Sequence, residues 1–411
     1  MTEIRTRTLT NGAVMVHEHV PAARSVAVRM MVPVGTAGDP PDRDGESAML
    51  AEYVFRGAGD LDSRQLSDAL DRAGVDRSVR PGPLRTTFGA TMLADRFDAG
   101  MPLVILMMRE PTMPVDALEA VRSLCLQSID SLQDDPQHLV MVRLGERAQP
   151  APFNRHGYGE ADAIRAMDLE SLRAAWWRRC VPSGAVVAVA GGVEPEAAFD
   201  RMEQWLEGWE GTIDEPAETA PAERGVHAFE QDTAQVHIGL AWDAMPESNP
   251  DSMRERLAIA ILSGGTSGRL FSEVRQKRSL CYSVGASYSA GRDRGLVTLY
   301  AGTTPDRAQE TLDVSMAEIR RLSEGFTEEE FRRAVIGLKS RLVMQGESTP
   351  ARASALASDQ HRIGRPRSLD ERLAEIEAVT ADDLRRYVAD RRPGPFTLAT
   401  IGPRPLELPG E

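Results

Sequence analysis

Residues 263–288 read Ser-Gly-Gly-Thr-Ser-Gly-Arg-Leu-Phe-Ser-Glu-Val-Arg-Gln-Lys-Arg-Ser-Leu-Cys-Tyr-Ser-Val-Gly-Ala-Ser-Tyr, and the architecture of the chain can be worked out from this stretch. Its glycines predict a tight turn, and an amphipathic helix follows them. Beyond the helix, Tyr282, Val284, Ala286 and Tyr288 alternate with small residues, which predicts a strand with one larger-residue face. The glycines do not form a phosphate-binding loop, because the Gly-Lys-Ser or Gly-Lys-Thr ending of a Walker A motif is missing.

The same order of elements occurs twice along the chain, which indicates a duplication. Each half has an opening apolar strand followed by an amphipathic helix, then another strand that leads into long helices, and then a closing helix and strand. The three strands are predicted at residues 25–35, 86–93 and 185–192 in the first half and at residues 235–242, 295–302 and 396–402 in the second. Convergent α/β patterning is the alternative, but the matching order favours duplication. Thr327 and Glu330 form a capping-box signal that predicts the start of a long helix.

An acidic, proline-bearing stretch at residues 211–224 has the composition of an exposed linker. The chain has 411 residues, enough for more than one domain. We therefore predict an N-terminal half at residues 1–210 and a C-terminal half at residues 225–411.

Residues 45–57 read Gly-Glu-Ser-Ala-Met-Leu-Ala-Glu-Tyr-Val-Phe-Arg-Gly. They resemble the helix that carries His-x-x-Glu-His in the inverted zinc peptidases, the pitrilysin and mitochondrial processing peptidase family. The framing residues fit, but Ala48 replaces the first His, Ala51 the general-base Glu, and Glu52 the second His. A zinc site of this kind needs two imidazoles on one helix face and a carboxylate that activates water. The motif is therefore degenerate.

The position of the family's third zinc ligand, a Glu on a later helix, is occupied here by Gln127 and Ser128. Neither side chain is a good zinc ligand. His-x-x-Glu-His and His-Glu-x-x-His occur nowhere else in the chain, and His17 and His19 are its only closely spaced histidine pair. Two such histidines share one face of a strand, but a solvated strand edge is the more common reason for the pattern. We expect no metal and no other cofactor in this chain.

Residues 263–288 also resemble the family's glycine-rich turn, its Arg-Leu-Phe helix and its Arg-Tyr pair, which here is Arg275 and Tyr282. In the family this pair reaches into the zinc site of the partner, near the scissile carbonyl. The resemblance therefore implies that both residues act in trans, where donors aimed at an oxyanion contribute strongly to catalysis. On spacing alone, Arg275 would be a solvated helix residue and Tyr282 an ordinary strand aromatic.

The resemblance covers nearly the whole chain, and it implies an α+β fold with two homologous α/β-sandwich halves joined by a linker. Each half is expected to be a mostly antiparallel sheet covered by helices, and two such chains close like a clamshell around a peptide. The family's active half pairs an edge strand with substrate. The corresponding residues here, 75–85, include Pro81 and Pro83, which remove backbone donors and fit a half that no longer grips the scissile peptide.

Composition and charge exclude several classes of function. The net charge of −14 argues against a nucleic-acid binder. The longest apolar run, residues 101–108, is too short to span a bilayer, so no membrane partner is expected. Three widely spaced cysteines are read as free thiols. Because the N-terminus shows no apolar signal segment, a cytoplasmic location is expected.

We interpret the chain as the zinc-less subunit of a heterodimeric zinc endopeptidase, inactive alone. A paralogous subunit with an intact His-x-x-Glu-His would supply zinc and the general base, and a peptide would be the substrate. Two alternatives within the family stay open: a catalytically silent scaffold, and a subunit that binds peptides without cutting them.

Overall fold

A computed structural model describes residues 3–409 of the chain. The strands in chain order are β1 (Ile4–Thr8), β2 (Val14–His19), β3 (Ser25–Val32), β4 (Gly57–Ala58), β5 (Leu61–Asp62), β6 (Asp76–Pro81), β7 (Thr86–Leu93), β8 (Val186–Gly191), β9 (Gly225–Glu230), β10 (Val236–Ala244), β11 (Cys281–Ala290), β12 (Gly295–Thr303) and β13 (Thr397–Gly402).

The α-helices are α1 (Glu46–Tyr53), α2 (Ser63–Arg72), α3 (Phe97–Arg109), α4 (Leu118–Gln133), α5 (Pro136–Ala148), α6 (Ala161–Ala166), α7 (Leu169–Arg179), α8 (Pro195–Trp205), α9 (Ser252–Ser263), α10 (Ala308–Arg321), α11 (Glu328–Gly346), α12 (Thr349–Ile363), α13 (Leu369–Glu377) and α14 (Ala381–Asp390). A π-helix lies at Phe271–Gln276. None of the helices among residues 3–409 is both long and apolar enough to cross a membrane.

The chain divides into two compact units that are not colinear with the sequence. The first unit comprises the chain up to Ser131, Ala151–Ala220 and Gln345–Ser368, and the second comprises the rest. The sequence predicts one boundary, at residues 211–224, between an N-terminal and a C-terminal half. This division into two homologous halves stays a prediction.

Each unit is built on a mostly antiparallel sheet, and the two sheets share one strand order. The sheet of the first unit runs β1-β2-β8-β3-β7-β6, and that of the second runs β11-β12-β10-β13-β9. Read from β6 in the first sheet and from β11 in the second, each order begins with a hairpin, β6-β7 or β11-β12. The opening strand of the half follows, β3 or β10, and then its closing strand, β8 or β13. In both sheets the closing strand pairs in parallel with one further strand, β8 with β2 and β13 with β9. The predicted α+β fold is confirmed, and the repeated order supports the predicted duplication.

Helices cover one face of each sheet and form its main core. In the first unit Trp176 packs edge-on against Phe88, with ring centroids 6.2 Å apart. In the second unit Trp242 packs edge-on against Phe396, with centroids 5.7 Å apart. Burying an aromatic side chain of this size removes a large apolar area from water, so these contacts contribute strongly to each core.

The opposite face of each sheet is covered by one helix. In the sequence, this helix lies between segments that belong to the other unit. In the first unit α12 packs Ala353, Leu356 and Ala357 onto β2, β3 and β8. In the second unit α5 packs onto β10 and β13, where a Cβ on Gly239 would lie 3.3 Å from Cδ2 of Leu144. A side chain at position 239 would therefore crowd Leu144, which would have to shift by a few tenths of an ångström.

Candidate functional site

The degenerate motif lies on α1, which begins after Gly45. This glycine has a φ of +104°, and a Cβ on it would lie 2.9 Å from Cγ1 of Ile164, so only glycine fits. Ala51 is buried, and Ala48 and Glu52 are half-buried. In the inverted zinc peptidases, which this helix resembles, this helix face carries the zinc ligands. Here it carries the methyl groups of Ala48 and Ala51 and the carboxylate of Glu52.

Gln127 and Ser128 lie on α4 and are exposed. The Ser128 hydroxyl donates to the backbone carbonyl of Leu124 at 3.0 Å. The α4 side chain that interacts electrostatically with Glu52 is Cys125, whose pKa is raised to about 12 by burial and, to a smaller extent, by the Glu52 carboxylate. Among residues 3–409, no group of three or more His, Cys, Asp or Glu side chains is arranged to hold a metal ion.

The N-terminus of α1 is held by a buried ionic network that sequence reasoning missed. The Arg179 guanidinium, 2% exposed, donates to Asp39 at 2.8 Å and to Glu46 at 2.9 Å. It also donates to the Ser47 hydroxyl and to the carbonyl of Gly35. Asp39 in turn accepts from the backbone N–H of Ser47 at 3.1 Å, which satisfies a free donor of the first helical turn.

His17 and His19 lie on β2, which pairs with β1 on one side and β8 on the other. The expectation of a solvated strand edge is wrong for His17, because this side chain is fully buried inside the first unit. Burial is the main reason that the pKa of His17 falls to about 4, and the neighbouring His19 lowers it further. The two ring centroids are 6.3 Å apart.

Arg275 is exposed on the π-helix Phe271–Gln276 of the second unit. Its guanidinium lies over the Phe271 ring, 5.0 Å from the centroid, which is a cation–π distance. The start of this segment is anchored by Arg269, which forms a bidentate pair with Glu330 at 2.7 and 3.1 Å. Burial raises the pKa of Glu330, but the Arg269 and Thr327 hydrogen bonds outweigh it and lower the pKa to about 2.

Tyr282 is the second residue of β11, which is an edge strand of its sheet. The register with β12 shifts between Cys281 and Ser283, so Tyr282 is the extra residue of a β-bulge. Cys281 and Val284 both face the core, which simple alternation over three residues would forbid. The bulge therefore takes Tyr282 off the face that it was predicted to share with Val284, Ala286 and Tyr288, and leaves it 60% exposed.

Comparison with known proteins gives two matching family models. The model described as "Insulinase (Peptidase family M16)" matches residues 14–156, which include α1 and α4. The model described as "Peptidase M16 inactive domain" matches residues 166–338, which include Arg275 and Tyr282. Together the two models span more than half of the chain.

Individual relatives agree with these models. A Streptomyces coelicolor protein named "uncharacterized zinc protease" is 27% identical, over 97% of this chain and 90% of its own length. A solved structure titled peptidase M16 inactive domain, from Pseudomonas fluorescens, has a TM-score of 0.88 at 18% identity and covers 99% of this chain and 100% of its own. A chain of Complex III2 from Candida albicans has a TM-score of 0.82 at 20% identity, covering 97% of this chain and 96% of its own. On the strength of the two family models, the chain belongs to peptidase family M16.

Proposed function

We propose that this chain is the zinc-less subunit of a heterodimeric zinc endopeptidase, and that it supplies Arg275 and Tyr282 to the site of a zinc-bearing paralogous partner. The observation that carries the proposal is the exposure of Tyr282. A large aromatic side chain that is 60% exposed, on a bulge that separates it from its own core, is available to another molecule. Exposed aromatic and arginine side chains are common energetic centres of binding sites.

The two side chains supply complementary chemistry to a peptide. The Tyr282 hydroxyl is a single donor that can stabilise the negative charge developing on a scissile carbonyl oxygen. The Arg275 guanidinium offers a planar fork of donors for a peptide carbonyl or a terminal carboxylate. The Tyr282 hydroxyl would favour the transition state of amide hydrolysis over the neutral ground state, which is the condition for raising turnover, whereas Arg275 would contribute mainly to substrate binding.

The residues of α1 support the zinc-less half of the proposal. The side chains of Ala48 and Ala51 have no atoms that bind a metal or accept a proton, and Gln127 and Ser128 offer only neutral oxygen or nitrogen atoms. Zinc and the general base would therefore come from a partner with an intact His-x-x-Glu-His. The chain alone is expected to hold no stoichiometric zinc and to cleave no peptide.

A catalytically silent scaffold is the second candidate, since a chain of Complex III2 from Candida albicans, which is named as a complex, shares this fold. In that case Arg275 and Tyr282 would be surface residues without a role in turnover. A subunit that binds peptides without cutting them is a third candidate, in which both residues would contact the peptide.

Co-expression with a paralogue that carries His-x-x-Glu-His tests the proposal. Peptide cleavage is measured for each chain alone and for the mixture, and zinc is counted per chain by elemental analysis. We expect zinc only in the partner, cleavage only by the mixture, and a one-to-one complex by light scattering, with an interface larger than about 1,000 Å². One tightly bound zinc in this chain, or full cleavage by the partner alone, would overturn the proposal. The cytoplasmic location stays a prediction that cell fractionation tests.

A further inference from the structure

The turn between Arg275 and Tyr282 contains an unusual backbone conformation. Ser279 has a φ of +52°, in the left-handed region that favours glycine. A residue with a side chain in this region carries backbone strain, and such strain persists only where the surrounding structure holds it in place. In the sequence the position is an ordinary serine, so no pattern marks it.

The hydrogen bonds of this turn resemble a helix cap that is one residue wider than usual. The Leu280 N–H donates to the Val274 carbonyl, and the Ser279 N–H donates to the Arg275 carbonyl, both at 3.0 Å. These bonds reach back six and four residues, whereas a Schellman cap uses five and three. The extra residue comes from the π-helix, in which Lys277 donates to the carbonyl five residues before it. The Arg275 backbone is therefore part of the cap itself.

Side chains from the neighbouring elements fix the other side of the turn. The Arg307 guanidinium, just before α10, donates to the Ser279 carbonyl at 2.5 Å. The Thr303 hydroxyl donates to the Leu280 carbonyl at 2.5 Å, and Thr303 is fully buried. The carbonyls of Ser279 and Leu280 thus accept hydrogen bonds from side chains of neighbouring elements. The N–H groups of the same two residues donate to carbonyls of the π-helix.

We propose that Ser279 and Arg307 are positioning residues that fix Arg275 and Tyr282 relative to each other. The inference rests on the proposed function. Both working side chains are exposed, so packing around them does little to restrict their positions, and the backbone of the turn must do so instead. A catalytic group has to be held within about 0.5 Å of its productive position. Ser279, in the left-handed region and hydrogen-bonded through its carbonyl to Arg307, supplies such a fixed geometry.

Ser279→Gly tests this directly. Glycine relieves the left-handed strain but makes the unfolded chain more flexible, and these effects on stability oppose each other. We expect the melting temperature of the assembled complex to change by no more than about 4 °C. Turnover is expected to fall about tenfold, within the ~10²-fold range that a misplaced group costs. Ser279→Asn should keep most of the activity, because Asn tolerates the left-handed region.

Arg307→Gln and Arg320→Gln form a matched pair. Arg307 directly precedes α10 and Arg320 lies in its last turn. Both are exposed, and each donates to a backbone carbonyl, Arg320 to that of Pro409 at 2.9 Å. Arg307→Gln should lower kcat with little change in KM, whereas Arg320→Gln should leave both unchanged. Equal effects of the two variants would overturn the role of Arg307.

Hydrogen exchange of residues 275–282 in the isolated chain gives a readout that does not depend on the partner. Ser279→Gly and Arg307→Gln should each speed this exchange, and unchanged exchange would overturn the inference. Tyr282→Phe in the same complexes separates the two proposals. If Tyr282→Phe lowers turnover while Ser279→Gly and Arg307→Gln do not, only the positioning role fails. If Tyr282→Phe is fully active, the proposed function itself fails.

Discussion

Replacing Arg179 by methionine should be among the most destabilising single changes in the first unit. Asp39 and Glu46 are fully buried, and Arg179 is the residue that pairs with both. Methionine keeps most of the apolar stem of arginine, so the loss of packing is small. The variant therefore isolates the electrostatic effect of leaving two buried carboxylates without their shared cation.

The expected loss follows from the burial of the pair. Removing one partner from a buried ion pair costs about 3–5 kcal/mol, because the remaining charge stays out of water. Here one cation serves two carboxylates and also binds the Gly35 carbonyl and the Ser47 hydroxyl. We therefore expect a decrease in the free energy of unfolding near 5 kcal/mol, the upper end of that range.

Urea unfolding at neutral pH, followed by tryptophan fluorescence, measures this loss. Four of the five tryptophans, at positions 176, 177, 205 and 209, lie in the first unit, so the signal reports mainly on that unit. Arg178→Met is the matched control, because Arg178 is adjacent in sequence but exposed. Exposed substitutions of this kind change stability by about 0.5 kcal/mol or less.

The pH dependence of the variant checks the mechanism. Burial raises the pKa of Glu46, although the charges of Arg179 and Arg43 partly offset it. Without Arg179 this pKa rises further, so folded Arg179→Met binds a proton more readily than its unfolded state. Its deficit relative to wild type should therefore shrink as the pH falls toward 4.5, the ordinary Glu value. Adding Glu46→Gln should restore part of the stability. An Arg179→Met variant no less stable than Arg178→Met would refute the reasoning.

Two further predictions concern buried groups. The pKa of histidine is near 6.5 in the unfolded chain and about 4 for folded His17. Acidification between these pH values should therefore lower the free energy of unfolding of wild type by about 3 kcal/mol more than that of His17→Leu. Parallel pH–stability curves from urea titrations would contradict this. Burial raises the pKa of Cys125 to about 12 and that of Cys281 to about 11, and it also raises the pKa of Cys180. Iodoacetamide at neutral pH should therefore add no label to the native chain and three in urea, by intact mass, and rapid native labelling would count against the burial of these thiols.

Much of the fold could be predicted because its signals are local. The strands predicted at residues 86–93 and 295–302 correspond to β7 and β12. The capping box formed by Thr327 and Glu330 is also confirmed, since each residue binds the backbone N–H of the other. The packing of α5 and α12 could not be predicted, because an apolar helix face does not specify which of two similar sheets it covers.

The site could be predicted only in part, for similar reasons. The resemblance assigned Arg275 and Tyr282 as the candidate pair, but a bulge adds one residue and so reverses the alternation on which the predicted face depended. The burial of His17 involves Phe199 of α8, a residue far along the sequence whose ring centroid lies 6.2 Å from that of the imidazole. The left-handed Ser279 depends on contacts of its neighbours with Thr303 and Arg307, which no local pattern encodes.

The turnover of a complex that contains Tyr282→Phe tests the central claim most directly. The change removes one hydroxyl from a side chain that is 60% exposed and leaves the ring, so assembly and melting temperature should stay as in wild type. If the hydroxyl stabilises the oxyanion in the partner's site, turnover should fall by roughly 10²–10³. Arg275→Ala, measured beside it, should lower activity with a larger effect on KM. Unchanged turnover in a fully assembled Tyr282→Phe complex would contradict the claim that this chain takes part in catalysis.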